Sequence, residues 1–201
     1  MKIKRIATGL LSTNTYIVES DEACLIIDPA DCCYELIKHL EDNKKPSAIL
    51  LTHVHFDHIT GADTLAEKYG VDIYIHEDDA EMMEDGSKNG SLHLLFCGQT
   101  INTNRVRHIC GDPFLYIKDI TIRAFHTPGH SKGSVSYLID NRLFSGDLVF
   151  YGSYGRVDLY GGSFDTIVRS IRSLKNLPKD TLIYPGHGPC EFTIAEYFGE
   201  K

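Results

Sequence analysis

Residues 48–58 read Ala-Ile-Leu-Leu-Thr-His-Val-His-Phe-Asp-His, a short apolar run that ends in four metal-type side chains, His53, His55, Asp57 and His58. A regular helix or strand cannot aim all four at one ion. A loop leaving the end of a buried strand can set them around two adjacent ions. Three more residues of the same type lie downstream, each in a glycine-containing turn: His130 in Pro-Gly-His, Asp147 in Ser-Gly-Asp and His187 in Pro-Gly-His-Gly. Imidazole nitrogen and carboxylate oxygen suit zinc, iron or manganese. Taken singly, each piece reads blandly. A histidine near a strand end is ordinarily hydrogen-bonded to backbone, and Pro-Gly-His is an ordinary turn. The density of the first cluster and its three echoes make a metal site the better reading.

Periodicity around these residues predicts strands at Ile3–Ile6, Asn14–Val18, Ala23–Ile27 and Ala48–Leu51. A helix is expected over about 32–43. Another should open at Asp57 or just after it and run to Tyr69, closed by Gly70. A strand at 71–75 leads into a helix at 77–84. Further strands are expected at about 105–109, 114–117, 120–125, 134–139 and 142–145. A helix at 164–176, a strand at Leu182–Tyr184 and a helix at about 190–198 finish the chain. Strands dominate both halves, and the helices can only cover outer faces. The pattern predicts an α+β, four-layer αββα sandwich in one domain over residues 1–201, with every candidate ligand just past a strand end. The stretch 86–104 is long for a loop in a compact domain. Its Gly and Ser, with Leu92, Leu94, Leu95 and Phe96, fit either a mobile lid over a substrate or a fixed loop burying those side chains.

Composition narrows the partners. A net charge of −8 argues against a groove that works by neutralising nucleic-acid phosphates. No apolar run approaches the roughly 18 residues of a membrane span, and Met-Lys-Ile-Lys-Arg is followed too soon by polar residues to act as a signal peptide. The expectation is a cytoplasmic protein acting on a small molecule, with no nucleic acid or membrane partner and no indication of oligomeric state. Six cysteines, at 24, 32, 33, 97, 110 and 190, are accordingly read as reduced thiols. The acidic residues Glu77, Asp78, Asp79, Glu81, Glu84 and Asp85 read as a solvated helix whose first turn complements its dipole.

The ligand-type turns, together with Asn14-Thr15-Tyr16-Ile17-Val18, Ile27-Asp28-Pro29 and Gly152-Ser153-Tyr154-Gly155-Arg156, resemble the metallo-β-lactamase-fold hydrolase superfamily, and within it the glyoxalase II-like branch. The resemblance implies the αββα fold and a two-metal site. It places His53, His55 and His130 on one metal, Asp57, His58 and His187 on the second, and Asp147 between them. The implied cofactor is two divalent metal ions, zinc first, with iron or manganese accepted by the same donors. Two such cations about 3.5–4 Å apart lower the pKa of a shared water from 15.7 to about 7 and polarise a carbonyl. Asp57 is the implied catalytic residue, a ligand that also orients the attacking oxygen. An aspartate at 147, where many β-lactamases of this fold place a cysteine nearby, points away from antibiotics and towards thioesters such as S-D-lactoylglutathione. The rivals are a mononuclear-iron persulfide dioxygenase, a lactonase or phosphodiesterase, and an inactive binding module.

Two residues have two readings each. Asp28 is either a turn residue before Pro29 or a carboxylate that steadies a ligand histidine. Arg156 either binds a substrate carboxylate or pairs with Asp158 to order its loop. The glyoxalase II enzymes of the branch also carry a C-terminal helical domain that supplies much of their glutathione site. This chain ends soon after His187, at Lys201, so that element is expected to be missing.

Overall fold

The computed structural model describes residues 1–96 and 98–200; Cys97 of the six thiols lies outside them, and the other five are free. The first half of the chain builds one six-stranded sheet. Its strands are β1 (Lys2–Thr8), β2 (Thr13–Glu19), β3 (Cys24–Ile27), β4 (Ala48–Leu50), β5 (Ile73–His76) and β6 (Val106–Ile109), side by side in chain order. β1, β2 and β3 pair antiparallel, and β3 to β6 are parallel. Parallel neighbours need crossovers. They come from α1 (Tyr34–Asp42), from α2 (Phe56–Ile59) with α3 (Ala62–Tyr69), and from the segment that contains α4 (Ala80–Met83) and α5 (Ser91–Leu95).

The second sheet runs β14-β13-β10-β9-β8-β7. These strands are β7 (Phe114–Ile117), β8 (Ile120–His126), β9 (Val135–Ile139), β10 (Arg142–Gly146), β13 (Leu182–Pro185) and β14 (Phe192–Thr193). A small hairpin of β11 (Val149–Phe150) and β12 (Ser153–Tyr154) stands apart from it, and α6 (Phe164–Ser173) and α7 (Ile194–Phe198) complete the chain.

Alternation along the strands explains the four layers. Tyr16, Val18, Leu25, Ile27 and Leu50 of the first sheet face Ile122, Val135, Tyr137, Phe144 and Tyr184 of the second in one buried cluster. The intervening Ile17, Ile26, Ile49 and Ile73 pack outward against Leu36, Leu40, Leu65 and Met82 of the first helical layer. Leu143 and Ile183 do the same against Ile167, Leu174 and Ile194 of the second.

Four expectations change in detail. The helix expected from Asp57 to Tyr69 breaks at Gly61, whose N–H donates to Pro29 O at 2.8 Å instead of continuing the helical ladder; Gly70 closes the second piece in the left-handed conformation as expected. The last helix is shorter than 190–198. Phe192 and Thr193 first pair with β13, and Thr193 then caps α7 in a reciprocal box with Glu196. The acidic 77–84 segment is helical, with Glu77, Asp78, Glu81 and Glu84 exposed as expected, but Asp79 is not solvated. It starts with a 3-10 turn, Glu77–Asp79, that turns Asp79 into the interior. In the 86–104 stretch Ile101 is buried in the core and Leu95 half-buried, but the other apolar side chains named above are not buried. Asn89 and Ser91 anchor its base, whereas Leu92, Leu94 and Phe96 at its tip are exposed.

Candidate metal centre

All seven ligand-type residues collect at one edge of the sandwich. His53 and His55 follow β4, and Asp57 and His58 lie in the single turn of α2. His130 follows β8, Asp147 follows β10 and His187 follows β13. Donor atoms of His53, His55 and His130 lie within 4.8 Å of one another, as do those of Asp57, His58 and His187, and those of His53, His58 and Asp147. Asp147 spans the two groups. Its Oδ2 is 3.5 Å from His130 Nε2 and 3.6 Å from His187 Nε2, and its Oδ1 is 3.4 Å from His58 Nε2. Glycine makes this approach feasible at Gly186, where a Cβ would strike the Asp147 carboxylate and the His58 ring.

The nitrogens facing the centre lack protein partners. His53 Nε2, His58 Nε2 and Asp147 Oδ1 are buried and unbonded. His55 Nδ1 and His130 Nε2 are 2.8 Å apart, so two imidazole lone pairs point at one place. Buried polar atoms are otherwise almost always paired, and converging orphans of these types fit divalent metals.

The outward-facing nitrogens of His53, His58 and His130 are held by the protein, which sets the tautomer of those rings, whereas His55 Nε2 is buried without a partner. His53 Nδ1 lies 3.0 Å from Thr52 Oγ1, and His130 Nδ1 donates to Arg156 O at 2.8 Å. His58 Nδ1 donates to Asp28 Oδ2 at 2.9 Å. Asp28 also accepts from Thr52 N and Thr52 Oγ1, both at 2.7 Å. Of the two readings of Asp28, the structure therefore realises the one that steadies a ligand histidine.

Electrostatics agree with this donor set. Burial holds the His53 imidazole well below its ordinary pKa, and burial followed by His130 lowers His55 to about 3. Both are neutral, as ligands must be. Burial alone would raise the Asp57 and Asp147 carboxyls. Neighbouring histidines outweigh it, holding Asp57 well down and Asp147 at about 2. His58 goes the other way: burial would lower it, but Asp57, Asp28 and Asp147 raise it well above the usual range. A pocket whose carboxylates hold a proton that tightly offers the same field to a cation.

Sequence reasoning missed two supports. Thr13 Oγ1 donates to Asp57 Oδ2 at 2.8 Å, so the end of β2 positions that carboxylate. Asp79, fully buried, accepts from Val54 N at 3.2 Å, Ser131 Oγ at 2.7 Å and Gly133 N at 2.7 Å. It joins the loop between His53 and His55 to the turn that follows His130. Arg156 is brought to the rim, but its guanidinium pairs with Asp158, Nε to Oδ1 and Nη2 to Oδ2 each 2.7 Å. Its carbonyl is what touches the site, through His130. Elsewhere His76, Asp78 and His126 also bring donors together. The two rings stack with centroids 3.9 Å apart and planes at 13°, so no ion can lie in both ring planes.

The family model of the metallo-beta-lactamase superfamily matches residues 8–187. The chain belongs to this superfamily. A probable metallo-hydrolase, YqgX of Bacillus subtilis, is 39% identical over 201 residues, covering 98% of this chain and 94% of that protein. The hydroxyacylglutathione hydrolase of Buchnera aphidicola is 34% identical over 190 residues, covering 92% of this chain and 66% of that enzyme. Among solved structures, BLEG-1 B3 metallo-beta-lactamase has a TM-score of 0.93 at 36% identity, with 99% of this chain and 97% of that one covered. TTHA1623 in a di-iron-bound form has a TM-score of 0.85 at 32% identity, with 96% of each covered. The chain is thus a metallo-hydrolase of this superfamily, with two sheets packed as its sandwich. No described helix is long and apolar enough to cross a membrane.

Proposed function

We propose that this chain is a dinuclear metal hydrolase of small acyl thioesters, S-D-lactoylglutathione being the model substrate. The observation that carries the reading is the complete pair of three-donor groups with Asp147 between them. A mononuclear iron site would need only part of this set. His53, His55 and His130 would hold one ion and Asp57, His58 and His187 the other, shared through Asp147. Bound there, divalent cations supply an acidified water and polarise the carbonyl under attack. Zinc leads because histidine and carboxylate donors suit it. Iron fits the same donors, and the di-iron form of TTHA1623 favours including it.

The protein's own groups do the positioning. Thr13 holds Asp57 Oδ2, so the carboxylate keeps one orientation towards the attacking oxygen. Asp28 fixes the ring of His58, and the carbonyl of Arg156 fixes that of His130. Side-chain exposure rises from 0% at His58 to 11% at Asp147 and 25% at His187, so substrate reaches the centre from the His187 side. A thiolate leaves without a proton donor.

The resemblance to BLEG-1, a B3 metallo-beta-lactamase, favours one second reading, β-lactam hydrolysis. The structural match covers 99% of this chain. Steady-state kinetics of the metal-loaded protein with matched thioesters, oxygen esters, lactones and β-lactams decides between them. The expected order places thioesters first in kcat/KM. A β-lactam turned over as well as or better than every thioester would overturn the proposal.

A further inference from the structure

The two edges of the sandwich differ in what their turns expose. β8 and β10 end at the metal edge, and β2 begins there, so the turns β2–β3, β7–β8 and β9–β10 lie at the opposite edge. Those turns expose Asp21 and Glu22, Lys118 and Asp119, and Asp140, as solvated turns commonly do. At the metal edge, segments 9–13, 89–96 and 148–155 contain no Asp, Glu, Lys or Arg, in a chain of which 24% is charged. What they expose is apolar. Leu10, 65% exposed, and Leu11 form the tip of the β1–β2 hairpin. Leu92 and Leu94 project from α5, with Phe96, 89% exposed, at its end, and Tyr154 is exposed in β12. Single exposed apolar side chains are ordinary, but a set gathered around one site marks a binding surface.

Each segment is anchored at the metal centre. Thr13, two residues after Leu11, donates to Asp57 Oδ2 at 2.8 Å; at about 3.8 Å between successive Cα atoms, Leu11 lies within about 8 Å of Thr13 along the chain. Phe56, between His55 and Asp57, donates its N–H to Asn89 O at 3.0 Å, and a Cβ on Gly90 would lie 3.7 Å from the Phe56 ring. α5 starts at the next residue. A Cβ on Gly155, beside Tyr154, would strike Asp147 O and lie 3.2 Å from His130 Nδ1. In the same hairpin the Phe150 ring stands 5.9 Å from that of His187, the most open of the seven. The cations nearest these segments are already paired. Glu81 engages Lys88 at 2.7 Å and Lys132 at 3.1 Å, and Asp158 engages Arg156 at 2.7 Å.

We propose that the β1–β2 tip, α5 and the β11–β12 hairpin form an apolar acyl subsite, so that the favoured thioesters carry a medium-length aliphatic acyl chain. The inference rests on the thioester reading above and deepens it. The acyl half is the one assigned to these loops because peptide and nucleotide thiols are polar and charged, and uncharged leucine and aromatic side chains offer them no partner. An aliphatic chain gains from the same surface, about fourfold in affinity for each methylene fully withdrawn from water.

Thioesters of N-acetylcysteamine with acetyl, butanoyl, hexanoyl and octanoyl groups test it, because one neutral thiol half is common to all and only the chain varies. On the metal-loaded protein, kcat/KM corrected for alkaline hydrolysis should rise about two- to fourfold per added methylene. Ketone isosteres, with CH2 in place of sulfur, should show the same rise in affinity by calorimetry. Leu11→Ser and Leu94→Ser change exposed positions and should each cut the hexanoyl-to-acetyl ratio by about threefold or more. Tyr116→Ser, exposed on β7 beside the far-edge turn, should leave the slope unchanged. Ketone affinities that are flat or fall with chain length, a slope intact in both leucine variants, or one lost in Tyr116→Ser would overturn the subsite. So would a wild-type dimer that Leu94→Ser dissociates without altering the slope, which would make the patch an interface between copies. If no thioester is hydrolysed while ketone affinity climbs with chain length, the thioester reading fails and the apolar subsite stands. If every thioester is hydrolysed at the same corrected rate and ketone affinity is flat, the thioester reading stands and the subsite fails.

Discussion

Asp79→Asn should loosen one metal position and spare the other. Asp79 receives three hydrogen bonds, from Val54 N and Ser131 Oγ on Oδ2 and from Gly133 N on Oδ1. Val54 lies between His53 and His55, and Ser131 and Gly133 follow His130. The two loops that carry the three histidines of the first group thus meet at one carboxylate, whereas Asp57 and the His187 segment take their support from Thr13 and the β2 surface. An asparagine can accept on one side only, and its NH2 would face a backbone N–H on the other. Ser131 is not stranded, because Ser134 Oγ lies 2.7 Å away. One buried backbone donor loses its partner, which costs about 1–3 kcal/mol of folding stability. Gly133 packs too closely on the Asp79 side chain for a water to slip in; a Cβ there would sit 2.8 Å from Asp79 Cγ. Loss of such outer supports typically weakens a metal about 10–100-fold. The expected result is therefore a first-site affinity lower by about that factor, with the second site changed less than about threefold. Competition with a chelator, following the cobalt-substituted protein by its d–d absorption, resolves the two steps. Equal weakening of both sites, or lost stability with first-site affinity intact, would refute the positioning role.

The same residue predicts a pH dependence of the metal-free protein. Burial outweighs the three hydrogen bonds and keeps the Asp79 carboxyl above its ordinary range. A carboxyl raised on folding binds more protons folded than unfolded, so its contribution falls as pH rises from about 4 through the raised value. Urea unfolding should show wild type losing ground to Asp79→Asn across that window, and parallel profiles would contradict the shift. Elemental analysis after metal loading should give two divalent ions per chain; one ion would sink the dinuclear model. Asp57→Asn should abolish nearly all turnover with the fold intact, and Thr13→Val should lower kcat by a smaller factor, about tenfold, by freeing that carboxylate. Near-normal rates for Asp57→Asn with both metals bound would show the role is misassigned. Hydrogen exchange should slow across the 86–104 stretch on product binding if its exposed tip closes over the substrate, and unchanged exchange would eliminate the lid.

The convergence of the seven candidate ligands was legible because their chemistry is carried by residue type and by position just past an apolar run. The layers were legible because alternation along β2 to β4, β8 and β9 is a local property of the strand. Asp79 was invisible for the opposite reason. It sits among Glu77, Asp78, Glu81 and Glu84, and only the 3-10 turn after β5 separates the one inward carboxylate from its solvated neighbours. Asp28 was half legible. Its place before Pro29 marked a turn, but its bond to His58 depends on β3 and β4 lying side by side. The capping pair Thr193 and Glu196 is readable from Thr-x-x-Glu, and it starts the last helix at Ile194 rather than at 190. Arg156 had two readings in sequence, a substrate fork and a pairing with Asp158, and its guanidinium engages Asp158.

Leu10 and Leu11 make the converse point. They are far from every ligand in sequence, and nothing in Thr-Gly-Leu-Leu-Ser suggests a site. They stand at the metal edge because Thr13, just after them, meets Asp57, 44 residues on. Catalytic chemistry here is written in residue types clustered near strand ends. Recognition depends on which loops gather around the centre, and that is set by pairing between strands rather than by any one of them. A superfamily match therefore identifies the metal centre and says little about the substrate.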